Sequence, residues 1–163
     1  LLVKHIASTD EDSLLNMTFH PYFNLDQTTN LSTHYLKINS EYFLTQNEIG
    51  RFTDKVKVLG NHRDYRTKKQ LIVTEETKLD GIFEIKEEYA CTLSTKHIKM
   101  NVYSNYDSLV VYTQNKQASH DLTNATTGSQ FSSIAIECQK SQAKLPLLKA
   151  KENYNYYISY KFE

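Results

Sequence analysis

The chain has no surplus of charge of either sign. Its 163 residues carry 19 Lys+Arg and 19 Asp+Glu, a formal net charge of zero. A balanced surface gives no general attraction to nucleic acid or to an anionic membrane, since both recruit partners through excess positive charge. Long apolar runs are also missing: none approaches the roughly 20 residues needed to span a bilayer. No signal-peptide pattern opens the sequence. Neither nucleic acid nor membrane is an expected partner, and a cytoplasmic location is expected. Cysteine is scarce: Cys91 and Cys138 are the two. They make no disulfide framework and no metal-spaced pair, so two free thiols are expected, with a single disulfide left open. His5, His34, His62, His97 and His120 show no metal-ligand spacing and read as structural or exposed. With four glycines, the turns must lean on Asn, Asp and Ser. The sequons at Asn16, Asn30 and Asn124 bear on the protein only if it is secreted.

What the chain does have is strand formers. Tyr, Ile, Val, Thr and Phe recur in short runs, while long amphipathic helices, repeats and linkers are hard to find. Leu1–Ile6 and Leu14–Phe19 read as strands. Lys99–Ser104 and Leu109–Thr113 read as neighbours in a meander, with a turn at Ser104–Ser108 between them. In the run from Tyr154 to Phe162, alternation puts Tyr154, Tyr156, Ile158, Tyr160 and Phe162 on one face. Loops are expected at 26–31, 46–53, 64–69 and 115–130. The basic cluster from Arg63 to Lys69 reads as a solvated loop. A chain of this length can form one domain and bury roughly 70% of its unfolded surface.

Two places carry residues suited to chemistry. His20-Pro21-Tyr22-Phe23-Asn24-Leu25 packs an imidazole, two rings and an amide into six residues. Pro21 fixes its own φ and biases His20 toward an extended conformation. Such a histidine has the parts of a proton donor in a sugar site; a strand-end residue making a local hydrogen bond is the plainer alternative. Glu137 is embedded in Ile134-Ala135-Ile136-Glu137-Cys138. Pointing into an apolar interior, its charged form would be strongly disfavoured. It therefore faces solvent, or it lines a pocket where it can act as a general base.

Asn16-Met-Thr-Phe-His20-Pro-Tyr-Phe-Asn-Leu25 resembles the histidine signature of the aldose 1-epimerases, or galactose mutarotases. Further segments resemble that family's elements in the family's order: Leu36–Asn39 with Phe43-Leu44, read as one strand; Asp64-Tyr65-Arg66; Asp80–Phe83; Val111–Asn115; Ile134–Gln139; and the closing strand Leu148–Phe162. The resemblance covers nearly the whole chain. It implies an all-β fold, an antiparallel β-sandwich of the galactose mutarotase type. It also implies that residues 1–163 are a single domain forming the C-terminal half of such a protein. The N-terminal half, which carries another histidine and an arginine that contact the sugar, is then expected as a partner.

The activity implied is interconversion of the α- and β-anomers of a hexose or hexose derivative by acid–base ring opening. Glu137 would be the general base and His20 the general acid, with no metal and no cofactor. Asp80 would accept hydrogen bonds from sugar hydroxyls, although Asp-Gly is also an ordinary turn dipeptide. Tyr22, Phe23 and Tyr112 would offer a platform to a pyranose face, or simply pack. The chain departs from the family pattern at Gly81, where a histidine is usual, and at Val110, near a usual glutamine. These departures leave the sugar's identity open. They also keep two rival readings: a non-catalytic carbohydrate-binding or sensing protein, and an inert half-sandwich that completes another chain.

Overall fold

The computed structural model describes residues 1–117 and 128–163. Among these it contains strands, turns and bends but no helix. The strands in chain order are β1 (Leu2–Ser8), β2 (Ser13–Leu14), β3 (Tyr22–Phe23), β4 (Tyr35–Ile38), β5 (Tyr42–Gln46), β6 (Phe52–Lys57), β7 (Lys69–Gln70), β8 (Asp80–Glu84), β9 (Tyr89–Ser94), β10 (Lys99–Ser104), β11 (Ser108–Tyr112), β12 (Ile134–Gln139), β13 (Leu147–Leu148) and β14 (Asn153–Phe162). One six-stranded sheet runs β1-β14-β10-β9-β4-β7, a second runs β3-β12-β11-β8-β5-β6, and β13-β2 makes a small ribbon. The strand pairings among the described residues are all antiparallel.

Side chains from both sheets meet in one core. Leu36, Leu93, Met100, Val102, Ile158 and Tyr160 come from the first sheet; Phe43, Phe83, Leu109, Val111, Ile134, Ile136 and Cys138 come from the second. Cys91 and Cys138 are buried there as free thiols. On β12 the alternation is strict: Ile134, Ile136 and Cys138 point into this core, so Ala135, Glu137 and Gln139 take the opposite face. A slip of one residue would drive Glu137 into hydrocarbon, so the apolar residues that anchor the core also fix which way the carboxylate faces.

Four expectations need correction. Leu14–Phe19 is not a strand: β2 ends at Leu14, and the chain is irregular until β3. Asn16 and Thr18 side chains occupy backbone groups of Lys140 and Cys138 that a ladder would use, Tyr154 takes the Met17 N–H, and Pro21 has no N–H to give. The segment read as one strand, Leu36 to Leu44, is two. β4 lies in the first sheet and β5 in the second, with the chain crossing the sandwich at Asn39–Glu41. β10 and β11 likewise lie in different sheets, so the turn at 105–107 is a crossover and not a meander bend. The expected loop at 46–53 is shorter than read, since β6 starts at Phe52 and pairs with β5. The middle of the 115–130 loop, with His120 and Asn124, lies outside the described residues.

Candidate active site

Glu137 leaves β12 on the outer face of the second sheet, and its side chain retains 7% of its exposure. The cover comes from the stretch before β3. Asn16 clasps the end of β12: its Nδ2 donates to the Lys140 carbonyl at 3.0 Å, and its Oδ1 accepts from the Lys140 amide at 2.9 Å. Thr18 Oγ1 donates to the Cys138 carbonyl at 3.0 Å. These bonds lay residues 16–20 along β12, and His20 Nε2 comes to 3.1 Å from Glu137 Oε1. Across the core, the buried Tyr160 hydroxyl donates to the Ile136 carbonyl at 2.9 Å, fixing the backbone beside the carboxylate. Burial raises the Glu137 pKa above the ordinary carboxylate value, and the His20 charge pulls in the opposite direction.

Sheet register places the remaining candidates. Tyr22, Ala135, Tyr112 and Asp80 are cross-strand partners in one row over β3, β12, β11 and β8. Glu137, Val110, Ile82 and Leu44 make the adjacent row. The Tyr22 ring lies 5.0 Å from that of His20 and meets Tyr112 edge-on at 6.4 Å. Burial, Tyr112 and Glu137 together raise the Tyr22 pKa. Asp80 opens β8 and is exposed, so Asp80-Gly81 is strand and not turn. It sits two strands and one row from Glu137, about 12 Å between Cα atoms at standard sheet spacing. That is the scale of a pyranose with a hydrogen bond at either end. Ala135 keeps the floor between the two tyrosines low, while Val110, Ile82 and Leu44 make it apolar.

Phe23 does not join this surface. It packs on the core side, with its ring 5.2 Å from Tyr160. Arg63 was expected in a solvated loop but is partly buried, its guanidinium 4.7 Å from the Phe43 ring. Its Nε is 3.9 Å from the point where a Cβ on Gly81 would sit, an ordinary contact distance, so Arg63 packs beside Gly81. Burial lowers the Arg63 pKa and Asp80 draws it back up. Asp64 and Arg66 pair with each other at 2.8 Å, which holds the Asp64 carboxyl at about 2. Among the described residues no group of three His, Cys, Asp or Glu is placed to hold a metal ion. Nor is any helix there long and apolar enough to cross a membrane.

The sequence model of the aldose 1-epimerase family matches residues 1–161. The chain belongs to that family. It is 28% identical over 153 residues to the aldose 1-epimerase of Haemophilus influenzae, an alignment covering 84% of this chain and 45% of that one. The GalM/aldose epimerase homologue of C. elegans superposes with a TM-score of 0.86 at 22% identity, over 99% of this chain and 55% of that one. The galactose 1-epimerase of Lactobacillus acidophilus superposes at 0.85 with 24% identity, over 99% and 52%. The fold is thus that of the galactose mutarotases, and the chain spans about half the length of these relatives.

The clasp residues of this candidate site do not stand out in the sequence. Asn16 and Thr18 stand inside the quoted His20 motif, and their amide and hydroxyl, next to a proline that lacks an N–H, were the available signal. The packing of Arg63 against Gly81 had none, because those residues are 18 positions apart on separate elements.

Proposed function

We propose that the protein is a cofactor-free aldose 1-epimerase that interconverts the anomers of a hexose or hexose derivative, with Glu137 as general base and His20 as general acid. The observation that carries this reading is the 3.1 Å approach of His20 Nε2 to the buried Glu137 Oε1 on a sheet face that also presents Tyr22, Tyr112 and Asp80. Ring opening needs one proton removed from the anomeric hydroxyl and one delivered to the ring oxygen. The Glu137 carboxylate takes the first as an imidazolium at His20 gives the second. The C1–O5 bond breaks and the free aldehyde forms. Rotation about C1–C2 exposes the other face of the carbonyl, and closure returns both protons. Each group ends as it began, so no external acid, base or oxidant is consumed. Asp80 holds ring hydroxyls, and Tyr22 and Tyr112 bound the apolar face of the ring.

The raised Glu137 pKa sets the acid side of the reaction. The base works only as carboxylate, so kcat falls as pH drops through that raised value, at higher pH than for an unperturbed glutamate near 4.3. A kcat–pH profile checks this; an acid midpoint at or below the ordinary glutamate value would remove Glu137 as the titrating base. Polarimetry of freshly dissolved α-glucose and α-galactose tests the function itself. Faster approach to anomeric equilibrium supports the enzyme. Sugar binding without it supports the sensing alternative.

We also propose the N-terminal half of the protein as the partner that completes the site. Among the described residues strand β1 pairs on one side only, with β14, and Leu1, Leu2 and Ile6 are 64%, 56% and 71% exposed. His20 and Tyr22 stand at an open face. A free sheet edge with outward apolar residues invites aggregation. Residues 1–163 expressed alone are therefore expected to be poorly soluble, and at least 10²-fold less active than the full protein, because half of the positioning groups are missing. Size-exclusion chromatography and polarimetry measure both. A monodisperse, fully active product would contradict this.

A further inference from the structure

The segment carrying His20 hangs between two buried histidines. On its N-terminal side the Met17 amide donates to Tyr154 Oη at 3.1 Å. Tyr154 Oη lies 3.0 Å from Tyr106 Oη, which lies 2.8 Å from His5 Nδ1. On its C-terminal side the Leu25 amide donates to His34 Nε2 at 2.8 Å. His34 is 0% exposed and His5 8%. Residues 17 and 25 bracket His20, so both ends of its segment terminate on imidazole nitrogens.

Proton accounting decides the state of each ring. In the first chain every proton has an acceptor when Met17 N–H donates to Tyr154, Tyr154 to Tyr106, and Tyr106 to a bare His5 Nδ1. A protonated His5 would donate instead. That reverses Tyr106, and the Tyr154 proton, left without Tyr106 as acceptor, turns to the side of Oη on which the Met17 N–H donates and opposes that bond. A protonated His34 would turn an N–H toward the Leu25 N–H, two donors face to face. Either event replaces a buried hydrogen bond with an unsatisfied or opposed pair.

The surroundings do little to welcome the extra charge. His5 faces Tyr106 and its cross-strand partner Tyr156, with Tyr154 beyond. The Lys140 ammonium stands 5.2 Å and 5.4 Å from the Tyr154 and Tyr156 rings. Asp107 and Glu152 act on Tyr156, and Cys138 acts on Tyr106. Among the described residues Asp26 is the carboxylate that acts on His34, and it is itself engaged by Thr95, Thr33 and His97. Burial outweighs Asp26, so both histidines titrate below the usual value.

We propose that His5 and His34 are positioning residues: neutral, they fix Met17 and Leu25 on either side of His20, and on gaining a proton they release the segment and part His20 from Glu137. The catalytic consequence rests on the roles given to that pair above. The anchored form takes a proton less readily than a released histidine, which takes it near the ordinary value of about 6.5. The anchors therefore hold above that pH. Release grows by up to about tenfold per pH unit per histidine below it.

Amide hydrogen exchange on the full protein reads the anchors directly. Protection factors at Met17 and Leu25 are expected to fall about tenfold per unit from about pH 6.5 to 5.5, while Val111 and Ile136 stay protected. His5→Asn keeps an acceptor in the place of Nδ1, His34→Gln keeps one in the place of Nε2, and neither titrates. The double variant is expected to hold kcat within about twofold at neutral pH and to keep both amides protected at about pH 5.5. His5→Ala and His34→Ala are expected to lower kcat about tenfold or more, with KM moving less. Wild-type protection that ignores pH, or an Asn/Gln double variant that loses protection as wild type does, would overturn the proposal. If exchange follows the expected pattern but wild type interconverts no anomers, the anchors stand and the catalytic reading falls.

Discussion

Glu137→Gln is expected to lower kcat for anomer interconversion by roughly 10²–10⁴-fold, the usual contribution of a positioned general base. Glutamine keeps the shape and still meets His20 but takes no proton. The fold should not suffer. A carboxyl whose folded pKa is raised favours folding in its protonated form, and that benefit is lost as pH rises through the raised value. At neutral pH the buried charge costs stability, so the glutamine variant should melt no lower than wild type. Lost activity with an undiminished melting temperature separates a catalytic carboxylate from a structural one; near-normal kcat would remove Glu137 from the chemistry.

His20→Ala is expected to cost a similar factor, again roughly 10²–10⁴-fold in kcat. The two losses should not add. Both protons move in one ring opening, so a protein lacking donor and acceptor falls little below the worse single variant. The His20 charge pulls the Glu137 pKa down, so its removal lets the carboxyl titrate higher, and the acid limb of any residual rate moves to higher pH. Rates of the four proteins across pH, measured by polarimetry, check the factor, the non-additivity and the shift together. Additive losses with an unmoved acid limb would mean that the two residues act separately.

The strands of this fold were legible, but their partners were not. β1, β10, β11, β12 and β14 stand where alternation and strand formers place them, because those signals are local. Whether β10 and β11 share a sheet depends on the path taken at Asn105–Asp107, and a turn that reverses the chain reads much like one that crosses the sandwich. The same holds at Asn39–Glu41. Leu14–Phe19 looked like a strand because its composition is right, yet its Leu15 N–H goes to the Pro146 carbonyl, its Met17 N–H to Tyr154, and its Asn16 and Thr18 side chains bond to β12 from outside any ladder. Glu137 stood out for a simpler reason: a carboxylate among Ile134, Ile136 and Cys138 needs an exit, and strict alternation provides it. Its meeting with His20, 117 positions earlier, was expected from the resemblance alone. Phe23 illustrates the limit of reading rings as a platform. Neighbouring residues on a strand face opposite ways, so Tyr22 and Phe23 could never both look at the sugar.

Anomer exchange at equilibrium, followed by two-dimensional exchange NMR on the full protein with glucose and galactose, tests the His20–Glu137 chemistry most directly. At equilibrium nothing but interconversion of α and β forms transfers magnetisation between their anomeric protons. Exchange cross-peaks are expected with wild type, and not with Glu137→Gln at the same concentration. Equal cross-peaks with both proteins would contradict Glu137 as the base, and none with either, despite bound sugar, would contradict the enzyme.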